Sequence, residues 1–225
     1  MATIGNLPGE RLAGLTADLF HKIQHGKLSL DELALFTQRK NPFVWERNQN
    51  GHVVLTITGL DLTGAAEVDR LKEQKYNVGN LATSCFKSTK ADSYDQNHRL
   101  VNGQTYRSVL VPGKEVERTS DRTTAGLLAF AERLGYLRPQ AGIIPRLRER
   151  LTDKQLREEL GLWYIAALHQ PIEDADGNPR VLELRRGVDG RFVGAYWDRP
   201  EDQWRDDGAF VFLLPASSED LVTEA

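Results

Sequence analysis

Apolar residues recur every three to four positions between residues 8 and 25, placing Leu12, Leu15, Leu19 and Ile23 on one helical face. The pattern predicts an amphipathic helix that Gly26 ends. Ser29 and Glu32 stand three apart, as a capping box requires, and Leu28 and Leu33 can staple across it. A second helix therefore follows at once and stops at Asn41-Pro42. Such a helical hairpin must bury its apolar stripes against another surface.

The period then changes. His52–Gly59 (HVVLTITG) and Gln104–Pro112 (QTYRSVLVP) are rich in β-branched residues and read as strands. Between them, LTGAAEVDRLKEQ reads as a short helix with Ala66, Val68 and Leu71 inward, Asn77–Lys87 fits either helix or strand, and residues 88–103 read as an exposed polar loop. A helix from Ser120 carries Leu127, Leu128, Ala131 and Leu134 on one face, and Ala141–Leu151 reads as helical. Thr152 and Gln155 form a second capping box, with Leu151 and Leu156 as its staple.

From Leu162 the chain alternates between strands and turns. Leu162–Leu168 and Ala209–Leu214 are apolar throughout, which suits strands covered on both faces. Val181–Arg186 alternates, with Leu182 and Leu184 on one side and Glu183 and Arg185 on the other; Asp189-Gly190 then turns the chain into Arg191–Trp197. A simple meander would leave the two most apolar strands at the edges. The pattern therefore predicts the order 3-2-1-4 in a four-stranded antiparallel sheet, with residues 198–208 crossing over. The expected fold class is α+β: an N-terminal helical hairpin (1–43), a mixed α/β region (44–160), the antiparallel sheet (161–216) and an acidic tail (217–225).

Composition narrows the function classes. A net charge of -3 argues against a strongly basic nucleic-acid binder. The single Cys85 leaves no internal disulfide and no multi-cysteine zinc site. No secretory signal or membrane-length apolar run is visible, so the expected location is cytoplasmic, away from membranes. No motif calls for a cofactor.

The candidate chemistry is sparse. His21 and His25 are spaced to share a metal, yet Lys22 stands where a metalloprotease carries Glu, and two exposed histidines is the simpler reading. Asp174, Asp176 and Asn178 resemble part of a calcium loop, with Gly177 in the wrong place and Arg185 where the last Glu belongs. Asp174, Asp176 and Glu183 could instead serve a divalent-metal hydrolase or nuclease, although Glu183-x-Arg185 lacks the lysine of that motif. Cys85 could be a nucleophile with His98 or His169 as its base, against the simpler reading of a buried structural cysteine. Arg146, Arg148, Arg150, Lys154 and Arg157 could form a weak nucleic-acid patch or, more simply, a solvated face.

The connection Tyr196–Asp207 (YWDRPEDQWRDD) combines two Trp, one Tyr, two Arg and five acids. Aromatic and Arg side chains are the usual anchors of interfaces. Tyr196, Trp197, Arg199, Trp204 and Arg205 are therefore the expected binding residues, against the alternative that Trp197 and Trp204 merely plug the core.

The blocks DRTT (121–124), LTDKQLREELGLWYIAALHQPIEDADGNP (151–179) and AYWDRPEDQWRDDGAFVFLLP (195–215), with KNPF at 40–43, resemble a group of bacterial proteins common in small-genome candidate phyla. That resemblance implies a coherent bacterial fold and brings no activity or site residue with it. The sequence thus favours a non-catalytic protein-interaction module, binding a protein partner or a second copy of itself. A metal-dependent hydrolase or nuclease and a weak nucleic-acid binder are the alternatives.

Overall fold

The computed structural model describes residues 9–37, 45–116, 118–187, 190–199 and 202–215. The chain divides into two compact units, Met1–Glu46 and Arg47–Ala225. The first holds helices α1 (Gly9–Gln24) and α2 (Leu30–Thr37). The Ser29 hydroxyl accepts from the Glu32 N–H at 3.1 Å, and the Glu32 carboxylate accepts from the Ser29 N–H at 2.7 Å, so the capping box forms. His21 and His25 are exposed, one turn apart, with ring centroids 4.2 Å apart. The side chains of Leu12 and Leu15, the Asn41-Pro42 stop, Asp189 of the hairpin turn and the 217–225 tail lie outside the described residues.

The second unit runs β1 (Val53–Thr58), α3 (Gly64–Glu73), β2 (Asn77–Val78), α4 (Asn80–Phe86), α5 (Tyr94–Asn97) and β3 (Thr105–Pro112). It continues through α6 (Thr124–Arg133), α7 (Ile143–Arg150), β4 (Tyr164–Ala167), β5 (Ile172–Glu173), β6 (Pro179–Gly187), β7 (Gly190–Trp197) and β8 (Ala209–Leu213). The strands join one mixed eight-stranded sheet in the order β1-β3-β8-β4-β6-β7-β2, with β5 on β6.

This corrects the expected C-terminal sheet. The C-terminal region holds five strands, β4 to β8, and they do not form a separate antiparallel unit. β8 pairs with β4 in parallel and with β3 antiparallel, so it joins the C-terminal strands to β1 and β3. The physical reason is the apolar pattern of β8: a strand buried on both faces needs a neighbour on each side, and the C-terminal strands supply one. The segment 198–208 returns the chain across the sheet, which makes the β4–β8 pair parallel.

Both faces of the sheet are covered. One face packs Val109, Val111, Tyr164, Ala166, Val181, Phe210 and Phe212 against Leu127 and Ala131 of α6, Tyr136 and Trp204. On the other face, α7 packs against β1, β4, β6 and β7, and α4 against β6 and β7. Residues 88–103, expected as an exposed loop, contain α5 and bury Tyr94, His98 and Leu100. The Thr152–Gln155 box closes as expected, yet it starts one π-type turn (Gln155–Glu159) rather than a full helix.

The arginines of α7 are a second correction. Arg146 and Arg148 are 5% and 0% exposed, because α7 lies under the sheet rather than on the surface. Arg146 pairs with Glu67 of α3 at 2.5 Å and with Glu149 at 3.1 Å. Arg148 donates to the Arg185 and Leu151 carbonyls and meets Asp153 at 3.0 Å. Neither guanidinium is offered to a phosphate backbone.

Candidate functional site

The β6–β7 hairpin sets the site. Its register places Glu183 opposite Gly194 and Val181 opposite Tyr196, so Glu183, Arg185 and Tyr196 project from one face. β4 lies on the other side of β6, with Tyr164 opposite Arg185. The crossover then lays Gln203, Trp204 and Arg205 over these strands, and Trp163, Tyr164, Glu183, Arg185, Tyr196, Gln203, Trp204 and Arg205 enclose a pocket of about 130 Å³.

The crossover is firmly seated. The Trp204 N–H donates to the Arg122 carbonyl at 2.7 Å, and Arg122 Nε returns a bond to the Trp204 carbonyl at 3.2 Å. The indole Nε1 donates to Thr124 Oγ1 at 3.1 Å, and that hydroxyl donates to Asp198 at 2.6 Å. The Tyr164 hydroxyl donates to the Arg205 carbonyl at 3.0 Å. Gly208 is required here, since a Cβ would lie 2.2 Å from the Tyr164 ring.

Trp204 is 6% exposed, with its ring centroid 4.8 Å from Tyr196, 5.4 Å from Phe210 and 6.1 Å from Tyr164. It is a core side chain that also walls the pocket, not a protruding anchor. Trp163 and Tyr196, at 42% and 45% exposed, are the open aromatics. Arg205 forms a two-pronged pair with Asp207, at 3.1 and 2.5 Å.

Of the five expected binding residues, Tyr196, Trp204 and Arg205 line the pocket. Trp197 and Arg199 do not. Strand alternation turns Trp197 to the opposite side from Tyr196, where its ring lies 4.7 Å from the Arg180 guanidinium and 3.6 Å from that of Arg199. Trp163, Tyr164, Arg185 and Gln203 were not expected. The hairpin register could have tied Glu183 to Tyr196, because a two-residue turn fixes which residues face each other. Trp163 and Tyr164 needed the position of β4 as well.

Glu183 is 5% exposed, and among the described residues its carboxylate meets one cation, Arg185, at 3.4 Å. Burial raises its pKa above the ordinary glutamate value, and the nearby Arg185 charge only partly opposes that. Gly194 makes room for it, since a Cβ there would lie 2.8 Å from Glu183 Oε1. The alternation of Val181–Arg186 puts Glu183 on the side away from Leu182 and Leu184, and the crossover residues Gln203, Trp204 and Arg205 lie over that side.

The three carboxylates considered for a metal do not converge. Asp174 folds its own turn: Oδ1 accepts from the Asp176 and Asn178 N–H groups at 3.0 and 2.9 Å, and Oδ2 accepts from Arg180 Nε at 2.8 Å. Burial works to raise its pKa, and the Asn178 and Arg180 donors outweigh that and hold it low. Asp176 is exposed. Among the described residues, no three His, Cys, Asp or Glu side chains come together as a metal site would require.

His169 lies in the core. Its Nδ1 is 2.6 Å from the Gln170 carbonyl, and its Nε2 accepts from the Leu182 N–H at 2.9 Å. Burial pushes the Cys85 thiol up to about 12, which fits a structural cysteine rather than a nucleophile. A second hollow, of about 530 Å³, lies beside α4 and is lined by Thr83, Ser84, Lys87, Lys90 and Asp174, whose carboxylate is already committed to its turn. Among the described residues, no helix is long and apolar enough to cross a membrane. No protein-family model, curated protein or solved structure matches the chain, so the site is read from its own geometry.

Proposed function

We propose that the chain is a non-catalytic recognition module that takes a single side chain of a protein partner into the aromatic pocket between β4, β6, β7 and the crossover. One observation carries the reading: the half-exposed Tyr196 ring opens onto a pocket whose inner wall is fixed by Tyr164 and Trp204, with Trp163 at its rim and the Arg186 guanidinium over the Trp163 ring. Small-molecule sites usually span roughly 300–1,000 Å³. A pocket of about 130 Å³ suits one side chain better than a whole metabolite. Hydrogen bonds at Arg122, Thr124 and Tyr164 hold the crossover, so the pocket is preformed and binding costs little ordering.

The test is selection of short peptides on the purified chain, followed by titration calorimetry of the winners. Tyr196→Ala and Trp163→Ala, which remove exposed rings, are expected to weaken binding about 10-fold or more with an unchanged circular dichroism spectrum. Selected peptides that bind both variants as well as the parent, or a selection that yields no binder, would end this reading.

A further inference from the structure

We propose that the α7 side of the β6–β7 tip binds a phosphate group, held between Arg186 and Arg191. The site is separate from the aromatic pocket and does not depend on the recognition reading above.

Arg186 and Arg191 stand directly opposite each other in the hairpin register. Strand alternation turns both away from Arg185 and Phe192, toward the face that α7 covers. Like charges directly opposite across two strands repel and destabilise the pair. A third cation lies beneath them. Arg148 of α7 is fully buried, and its guanidinium donates at 3.1 Å to the Arg185 carbonyl, one peptide bond from Arg186. Burial lowers the Arg148 pKa, and the nearby Arg191 charge lowers it further against the pull of Asp153.

These guanidiniums have few acids to neutralise them. Asp153 meets Arg148 at 3.0 Å and is committed there. Among the described residues, neither Arg186 nor Arg191 has an acidic partner. By sequence the turn adds one acid, Asp189, so three guanidiniums stand against two carboxylates.

Their donors also lack acceptors. Arg186 makes no side-chain hydrogen bond among the described residues; its guanidinium lies 4.5 Å from the Trp163 ring centroid, and its Nε–H is buried without a partner. The Nε–H of Arg148 is likewise buried and unpartnered. Arg191 donates one N–H to the Tyr76 hydroxyl at 2.8 Å and keeps the rest of its fork. Buried donors almost always find a partner, so unpartnered donors beside a like-charge pair mark the place of a missing acceptor.

The arrangement of the donors favours phosphate. A carboxylate has two oxygens in one plane and matches one guanidinium fork. Arg186 and Arg191 come from different strands and call for oxygens in several directions, which a tetrahedral phosphate supplies. The half-buried Arg186 and Arg191 touch the ligand, and Arg148 adds charge from beneath without reaching it. Two accessible guanidiniums suit one phosphate rather than a nucleic-acid backbone, which needs a run of cations.

The experiment follows the arginine Nε–H signals of the full, isotope-labelled chain by NMR near neutral pH. Four probes are titrated at constant ionic strength: inorganic phosphate, a glycine-flanked phosphoserine peptide, the same peptide without its phosphate, and acetate. Inorganic phosphate, the phosphopeptide or both are expected to shift the Arg186 and Arg191 signals saturably and to leave Arg199, past the far end of β7, unmoved. Tighter binding of inorganic phosphate makes the ligand a free anion; tighter binding of the phosphopeptide makes it a phosphorylated side chain. Arg186→Gln and Arg191→Gln are each expected to weaken binding about 10-fold or more. With no phosphate present, each is expected to leave the urea midpoint unchanged or raise it, because it relieves the repulsion, whereas a purely structural arginine would lower it. The inference is overturned if acetate or the unphosphorylated peptide moves the same signals as far, if all arginine signals drift together, if either variant binds phosphate as the parent does, or if neither phosphate probe binds.

Discussion

Trp204 shows how a residue can be legible by type and misread by role. Its sequence neighbourhood, acids and arginines, suits an interface anchor; its actual partners are Thr124, Tyr164, Tyr196 and Phe210, which lie far away in sequence or on other strands. Trp204→Ala should therefore cost about 3–5 kcal/mol of stability, measured by urea unfolding, because it opens a cavity in the core. Trp204→Phe should cost less, losing the bond to Thr124 but keeping a ring in place. His52 makes a second residue-scale prediction. Asn48 Oδ1 accepts from the Asn50 and His52 N–H groups, so its amide nitrogen must be the group that donates to the Tyr136 hydroxyl at 2.6 Å. Asn50 donates to the same oxygen at 2.8 Å, which fills both lone pairs and leaves the phenol proton for His52 Nδ1, 2.7 Å away. Nε2 then carries the ring proton and donates to Glu115 at 2.5 Å. Nitrogen NMR should find the Nε2–H tautomer; the Nδ1–H form would contradict this chain of bonds.

Elements were legible wherever the pattern was local. The strands at Val53–Thr58, Thr105–Pro112 and Pro179–Gly187 follow their β-branched or alternating runs, and both capping boxes form. What could not be read was what covers each element. α7 looks like a solvated basic helix because its partner acid, Glu67, is 79 residues away. Burial pushes the Glu67 carboxyl up while Arg146 and Arg70 pull it down, and the net shift is upward. Arg146→Met should thus destabilise the fold by about 3–5 kcal/mol by stranding that carboxylate, whereas Arg146→Met with Glu67→Leu should recover most of the loss. A double-mutant cycle in urea measures the difference. The candidate site was half legible for the same reason. The β6–β7 register joins Glu183 to Tyr196 through a local turn, while Trp163 and Tyr164 arrive only through the pairing of β4 with β6.

At the scale of the whole molecule, the buried histidines set the response to acid. Burial lowers His98 from the usual 6.5 to about 4, and burial with the neighbouring His98 lowers His169 to about 3. Their rings are 4.8 Å apart. The unfolded chain takes up protons on both below pH 6.5 and the folded chain does not until it reaches the lower values. Their contribution is fully present above 6.5 and is lost as the pH falls toward 4 and then 3, by about 1.4 kcal/mol per pH unit for each histidine. Glu67 and Glu183, with raised values, act in the opposite sense and make the net slope shallower. Urea midpoints between pH 7 and pH 4 should therefore fall, and His98→Asn should flatten the fall.

The last strand has a consequence for synthesis. β8 sits between β3 and β4, and it joins β1 and β3 to the β4-β6-β7-β2 half of the sheet. Until residue 213 has left the ribosome, β3 and β4 each lack the neighbour that joins them in the folded sheet. The sheet of this unit can therefore close only after most of the unit has been translated, and slowing translation before residue 209 is expected to lower the soluble yield, as measured by the soluble fraction after expression.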